Sequence, residues 1–355
     1  MGTSALILHV AVALSAFGQT ITQGEIDEQN QNFKRWWDTE LIWRYDDLPE
    51  KGTVPDYRIP YSGHDYPDRA GGTTYVLRKY DLAFHRGQTL AASHEQKDVT
   101  ANQEPETREV RAGVFGLRRR RITVLETPSW HGHCNGRTAA SIRHAEPQTS
   151  VTRNGVVFSP ADIKALLADI YMYSATAFLG GVDYAINPGT LHVVLANWIG
   201  RGSHPVAMET TLGPVAFNHP VYAFETSASK RSERQRDVTL RAVYATSTNQ
   251  EYDRSPRNHK TMHFHYVLDL DADGKIVGGR YYPDSARIDM LWVPLKPTQG
   301  GTEGNRRGNP HIDVKEVLSI WRESVPEELR KKWWNVDPPE EDRIQEATDQ
   351  QRGGP

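Results

Sequence analysis

The residues able to do covalent chemistry gather around the chain's one cysteine. Cys134 stands in Pro128-Ser129-Trp130-His131-Gly132-His133-Cys134-Asn135-Gly136-Arg137, ahead of the small-residue run Thr138-Ala139-Ala140-Ser141-Ile142. Such a run suits a closely packed helix, which puts the thiol at a helix N-terminus. The positive end of the helix dipole favours thiolate over thiol there. His131 and His133 add positive charge, while Gly132 and Gly136 let backbone N–H groups approach a reacting carbonyl oxygen. A thiolate nucleophile also needs a base that takes its proton and returns it to a leaving amine. His192 is the candidate: Asn187-Pro188-Gly189-Thr190-Leu191 reads as a turn that delivers it to the start of an apolar strand, at the rim of a sheet. Glu209, on a following strand, is the candidate to orient that imidazole, with Asn218 as the second choice. Trp130 and Asn135 are candidates for the acyl-binding wall and the oxyanion hole. A cysteine peptidase or amidase would use the same Cys134–His192 pair.

The elements that must position these residues read as follows. Phe33, Trp36, Trp37, Leu41 and Trp43 recur at helical steps, and Pro49–Gly72 reads as an extended wrapping segment. Gln88 to Glu109 reads as a polar surface loop, and strands are expected over Val110–Leu117 and Arg121–Glu126. Ser159-Pro160-Ala161-Asp162 opens the clearest helix, with Ser159 at the N-cap and Pro160 at the first helical position. Strands are expected over Leu191–Ile199, Pro220–Phe224, Val238–Thr246, Met262–Leu270, Lys275–Tyr281 and Trp292–Leu295, and a last helix over Asp313–Arg322. This order of elements is α+β rather than alternating βαβ. Asp269, Asp271, Asp273 and Gly274 mimic the start of a calcium loop, but Arg280 stands where a bidentate Glu belongs, so the stretch reads as a hairpin turn. His131 and His133 lack the spacing of a zinc motif, and no metal or other cofactor is expected from these residues.

The 355 residues are 37% hydrophobic, 9% aromatic and 25% charged, with nine Trp and fifteen Tyr, enough for a sizeable core. A net charge of −3 gives no basis for nucleic-acid binding, and Arg118–Arg121 is the only basic run. No interior apolar run approaches the roughly 18 residues of a membrane span. Ser4–Gly18 is apolar and ends in Ala16-Phe17-Gly18, which reads as a signal peptide over 1–18 and predicts a secreted protein. Residues 19–109 read as an N-terminal wrapping or pro-like segment, 110–335 as the catalytic domain and 336–355 as a disordered tail.

Over about Pro128 to Trp321 the sequence resembles the transglutaminase elicitor family, secreted enzymes of oomycetes and bacteria. The resemblance rests on Cys134-Asn135-Gly136 with its Ala-rich run, Glu146-Pro147, Asn154-Gly155-Val156, Asp162-Ile163-Lys164-Ala165-Leu166, Asn187-Pro188-Gly189, Asn218 with Pro220-Val221, and Asp273-Gly274 with Ile276-Val277-Gly278-Gly279. It implies a papain-like, transglutaminase-like core with the nucleophile helix packed on an antiparallel sheet. The implied activity is acyl transfer from protein glutamine to primary amines or water, with protein substrates bearing glutamine and lysine side chains. A Cys-His-Asp triad is implied, Cys134 and His192 matching and Glu209 standing where an Asp is expected. Calcium enters only as a family-level stimulant. Arg137 replaces a family Trp, and Phe217, His219, Tyr222 and Ala223 replace Trp, Gln, Arg and Gly in the elicitor block. A secreted elicitor or binding protein without catalysis is the non-enzymatic alternative.

Overall fold

The computed structural model describes residues 19–112, 118–181 and 185–334. The expected signal peptide and the tail from 336 lie outside the described residues, as do positions 113–117 of the first expected strand. The chain begins with β1 (Gln19–Thr20), α1 (Gln23–Trp37) and β2 (Lys51–Thr53). Helices α2 (Thr74–Phe84) and α3 (Leu90–Ala101) precede a separate hairpin of β3 (Glu104–Ala112) and β4 (Arg118–Glu126). Next come α4 (Cys134–Arg143), the small hairpin β5 (Val151–Arg153) and β6 (Val156–Phe158), α5 (Pro160–Tyr171) and β7 (Thr176–Gly180). Helix α6 (Pro188–Leu195) runs into a π-helical turn over Ala196–Arg201. Then β8 (Val206–Glu209), β9 (Asn218–Ser232), β10 (Gln235–Ala245), β11 (His259–Leu270), β12 (Ile276–Tyr281) and β13 (Met290–Pro294) lead to α7 (Val314–Ser324) and α8 (Glu327–Trp334).

The main sheet is antiparallel in the order β1-β12-β11-β10-β9-β8-β13-β7, with β2 also paired to β9. Strand alternation divides its side chains between two cores. Val206, Met208, Leu291 and Val293 face one core with the buried residues of α1 and α6, whereas Ala207 and Trp292 face the other with those of α2, α4, α5 and α7. The α+β architecture, with the Cys134 helix packed on an antiparallel sheet, is the one the sequence predicts.

Local chemistry explains which elements were legible. Ser159 accepts from Asp162 N while the Asp162 carboxylate accepts from Ser159 N, so α5 starts where the sequence places it. The aromatic run that suggests one long helix stops instead at Asp38, which is left-handed at φ 52°. Phe33, Trp36 and Trp37 then clasp buried Trp198, with ring centroids at 5.7, 5.2 and 5.0 Å.

Two expectations are overturned. Gln88–Glu109 is not a loop but α3 and the start of β3, because Asp81 of α2 accepts from Ala91 and Ala92 N and caps α3 from outside it. Leu191–Ile199 is not a strand but α6 and its π-helical turn. Asn187 caps Gly189 N at 2.8 Å, and Pro188 occupies the first turn. Every residue of α6 is buried, so no polar face marks its helical period.

Candidate active site

Cys134 is the first residue of α4, as expected, and the loop preceding it is pinned to an earlier segment. His133 N donates to Asp65 O at 2.7 Å and Asp68 N donates to His131 O at 3.1 Å. Gly132 between them has to be glycine: a Cβ there would lie 2.7 Å from Asp65 O. Buried Arg137 then ties the first turn of α4 to both partners. Its Nε and Nη2 donate to Asp65 Oδ1 at 3.1 and 2.9 Å, and Nη2 donates to Asn218 O at 3.0 Å. Thr138 Oγ1 donates to the same carbonyl at 2.9 Å. Arg137 is thus a clamp between α4 and β9.

The thiol sits against Asn218. Cys134 Sγ faces Ala216 O at 3.7 Å, and Asn218 Nδ2 approaches Sγ at 3.9 Å. Trp292 Nε1 donates to Asn218 Oδ1 at 2.8 Å. An indole N–H only donates, so it fixes the amide oxygen toward Trp292 and leaves the amide N–H group for sulfur. Asn218 is therefore a donor to the thiol rather than the orienter of an imidazole. The thiol itself is not pre-ionised. Burial first, and then the Asp65 charge, raise its pKa above the ordinary value, outweighing the Asn218 hydrogen bonds and Arg137.

Sγ opens on a cavity of about 410 Å³ lined among others by Trp130, His131, Asn135, Glu209, Asn218 and Trp292. Five of the sequence-selected residues, Cys134, Glu209, Asn218, Trp130 and Asn135, therefore share one space. Glu209 ends β8 and is paired directly with Asn218 of β9. Burial, with Asp289 adding repulsion, raises its carboxyl to about 7. His131 lies on the same wall with Nδ1 at 3.9 Å from Asp68 Oδ2.

His192 is elsewhere. It sits on α6, not a strand, in the core on the opposite side of the sheet from α4. Its Nδ1 pairs with Tyr266 Oη at 2.9 Å, its ring lies 5.7 Å from that of Tyr45, and burial lowers its pKa to about 4. The structure does not bring it to Cys134, so the expected thiolate–imidazole pair is absent among the described residues. Reading the residues alone also missed Trp292, Asp65 and Asp68, which reach the site only through tertiary pairing. His133, next to Cys134, lies in a buried cluster with Glu95 and Asp169 whose donor atoms lie within 4.8 Å of one another.

The transglutaminase elicitor family model matches residues 31–185, which include Cys134 and begin well before Pro128. Among solved structures, the GP42 transglutaminase from Phytophthora sojae is similar with a TM-score of 0.66 and 20% identity, over 86% of this chain and 99% of that one. This chain has the GP42 transglutaminase fold. The family named from the sequence and the family of the matching model are the same. No curated protein sequence matches the chain.

Proposed function

We propose that the chain is a protein-glutamine acyltransferase whose nucleophile is Cys134 and whose acid–base group is Glu209. The observation that carries this is one cavity holding a helix-terminal thiol, an amide donor locked by Trp292, and a carboxyl poised near neutrality. A carboxyl at about 7 is half ionised at physiological pH, so it can accept a proton and give it back within one cycle.

Glu209 carboxylate takes the Sγ proton, and Sγ forms a bond to the side-chain amide carbon of a substrate glutamine. The C–N bond then breaks as Glu209 returns the proton, and ammonia leaves. The thioester is next opened by a primary amine, whose proton passes to Glu209 and from there to the departing sulfur, giving an isopeptide, the free thiol and the Glu209 carboxylate. Asn218 stabilises the thiolate through its N–H group, and the Cys134 and Asn135 region supplies the helix N-terminus facing the oxyanion. His192 has no part in these steps.

Water is a second acceptor. A cavity of about 410 Å³ leaves room for it beside the acyl group, which makes glutamine deamidation the competing outcome. The test is incorporation of a tagged primary amine into a glutamine-rich protein, with ammonia release read in parallel. Wild type labels the substrate and Cys134→Ala falls to background. Ammonia without label would establish deamidation. Peptide-bond cleavage without either, or cell responses fully retained in Cys134→Ala, would replace this reading with a peptidase or a non-enzymatic elicitor.

A further inference from the structure

We propose that Glu95, His133 and Asp169 form a binding site for a divalent transition-metal cation of the zinc type, which clips three helices together behind the nucleophile. Glu95 comes from α3, His133 is the residue immediately before α4, and Asp169 comes from α5. All three are buried, and their donor atoms lie within 4.8 Å of one another. His133 Nε2 stands 3.5 Å from Glu95 Oε1, close to the edge of a tetrahedron built from bonds of about 2.0–2.1 Å. The His133 side chain is only 5% exposed.

Two further features point to a small guest. An atom-sized void of about 10 Å³ opens between Glu95, His133 and Asp169, bounded also by Asp98, Tyr173 and Asn309. That is room for about one water or ion. Thr73, fully buried, donates from its backbone N to Glu95 Oε1 at 3.0 Å and from its hydroxyl to Asp169 Oδ2 at 2.6 Å. It thereby orients both carboxylates, as outer partners of metal ligands do. Gly72 leaves space for this arrangement: a Cβ there would lie 2.1 Å from Glu95 Oε1.

The charged and titratable side chains around the void are Glu95, Asp98, Asp169, Arg307, His94 and His133. The nearby guanidinium of Arg307 is engaged with Asp98 at 3.1 Å. One imidazole nitrogen with two carboxylate oxygens, and a water in the fourth position, is a donor set suited to zinc. Carboxylates and carbonyls alone would suit calcium better.

The test uses the full chain, dialysed against chelator and titrated with Zn²⁺. About one equivalent binds, the thermal midpoint rises, and an anomalous difference peak at the zinc edge falls between Glu95, His133 and Asp169. Cys134→Ala binds the same equivalent, and Asp169→Asn binds at least tenfold more weakly. Should Asp169→Asn not fold, Co²⁺ bound to wild type decides by its spectrum. A site of nitrogen and oxygen donors shows d–d bands without thiolate charge transfer. No stoichiometric binding by folded wild type, or binding lost in Cys134→Ala with thiolate charge transfer in wild type, overturns the proposal.

Discussion

The sheet separates two buried histidines whose surroundings act in opposite directions. On the α4 face His133 is ringed by Glu95, Asp169 and Asp68, and its pKa is raised despite burial. On the α6 face His192 has Tyr266 and Tyr45 for neighbours, and burial alone lowers it to about 4. The first face carries buried charge, a cavity and the thiol; the second is apolar packing in which a neutral imidazole is one more ring. A histidine in the right sequence context is therefore no evidence for a catalytic base until the side of the sheet is known.

The substitution with the largest expected effect tests where the base is. Glu209→Gln should lower amine incorporation by about 10²–10⁴-fold, the usual scale of a lost acid–base group. A base at about 7 gives kcat/KM an acidic limb near that pH, and the variant should lose it. The sign for stability is opposite. A carboxyl raised in the fold keeps its proton longer than in the unfolded chain, so it costs stability as pH rises from the usual value through about 7. Glu209→Gln should therefore melt higher than wild type at pH 8 and equally at pH 4. Wild-type activity in this variant would move the base elsewhere, with His131 beside Asp68 next to be tested.

His192→Gln sharpens the contrast from the other face. A histidine whose folded pKa is depressed stabilises the fold fully above about 6.5, and that contribution is lost as pH falls toward about 4. Denaturant titrations should show this acid-side loss, on the order of 3 kcal/mol, in wild type and much less of it in the variant. Amine incorporation per folded molecule should stay within about twofold of wild type. A hundredfold loss of incorporation with stability intact would return His192 to the mechanism.

Trp292→Phe removes the donor that fixes Asn218 and keeps the packing. The expected fall in kcat/KM is about tenfold, the upper size of one hydrogen bond between neutral groups, and stability should fall by about 1–3 kcal/mol because the buried Asn218 Oδ1 loses its donor. An unchanged rate would mean that Asn218 holds the thiol without its partner.

What could be read along the chain was local. Cys134 followed by small residues announces a helix-terminal thiol, and Ser159-Pro160 with Asp162 announces α5 through contacts three residues apart. Glu209 and Asn218 are selected from the sequence as alternative orienters of His192, and the structure places both on the wall of the Cys134 cavity instead. What failed needed information from afar. The start of α3 is capped by Asp81, ten residues back, and the Trp292–Asn218 bond depends on β8 lying between β9 and β13. The side of the sheet on which α6 lies is set by how its buried faces divide among β7, β11 and β12, for which an all-apolar run carries no periodic signal.

Asn187-Pro188-Gly189 is the instructive case, because it carries a helix-start signal that the all-apolar run after it hides. Asn before Pro, with the Asn side chain accepting from Gly189 N, is the same kind of helix start as Ser159-Pro160. The apolar residues after it favoured a strand only because they lacked polar partners at helical spacing. Asn187→Ala should cost about 0.5–2 kcal/mol through the lost cap, comparable to Ser159→Ala, and leave amine incorporation unchanged. The two variants form a matched pair, one cap on each side of the sheet. If Asn187→Ala abolished incorporation while its stability loss stayed within that range, the motif would be serving the active site rather than the helix. The division of labour between the two faces would then have to be redrawn.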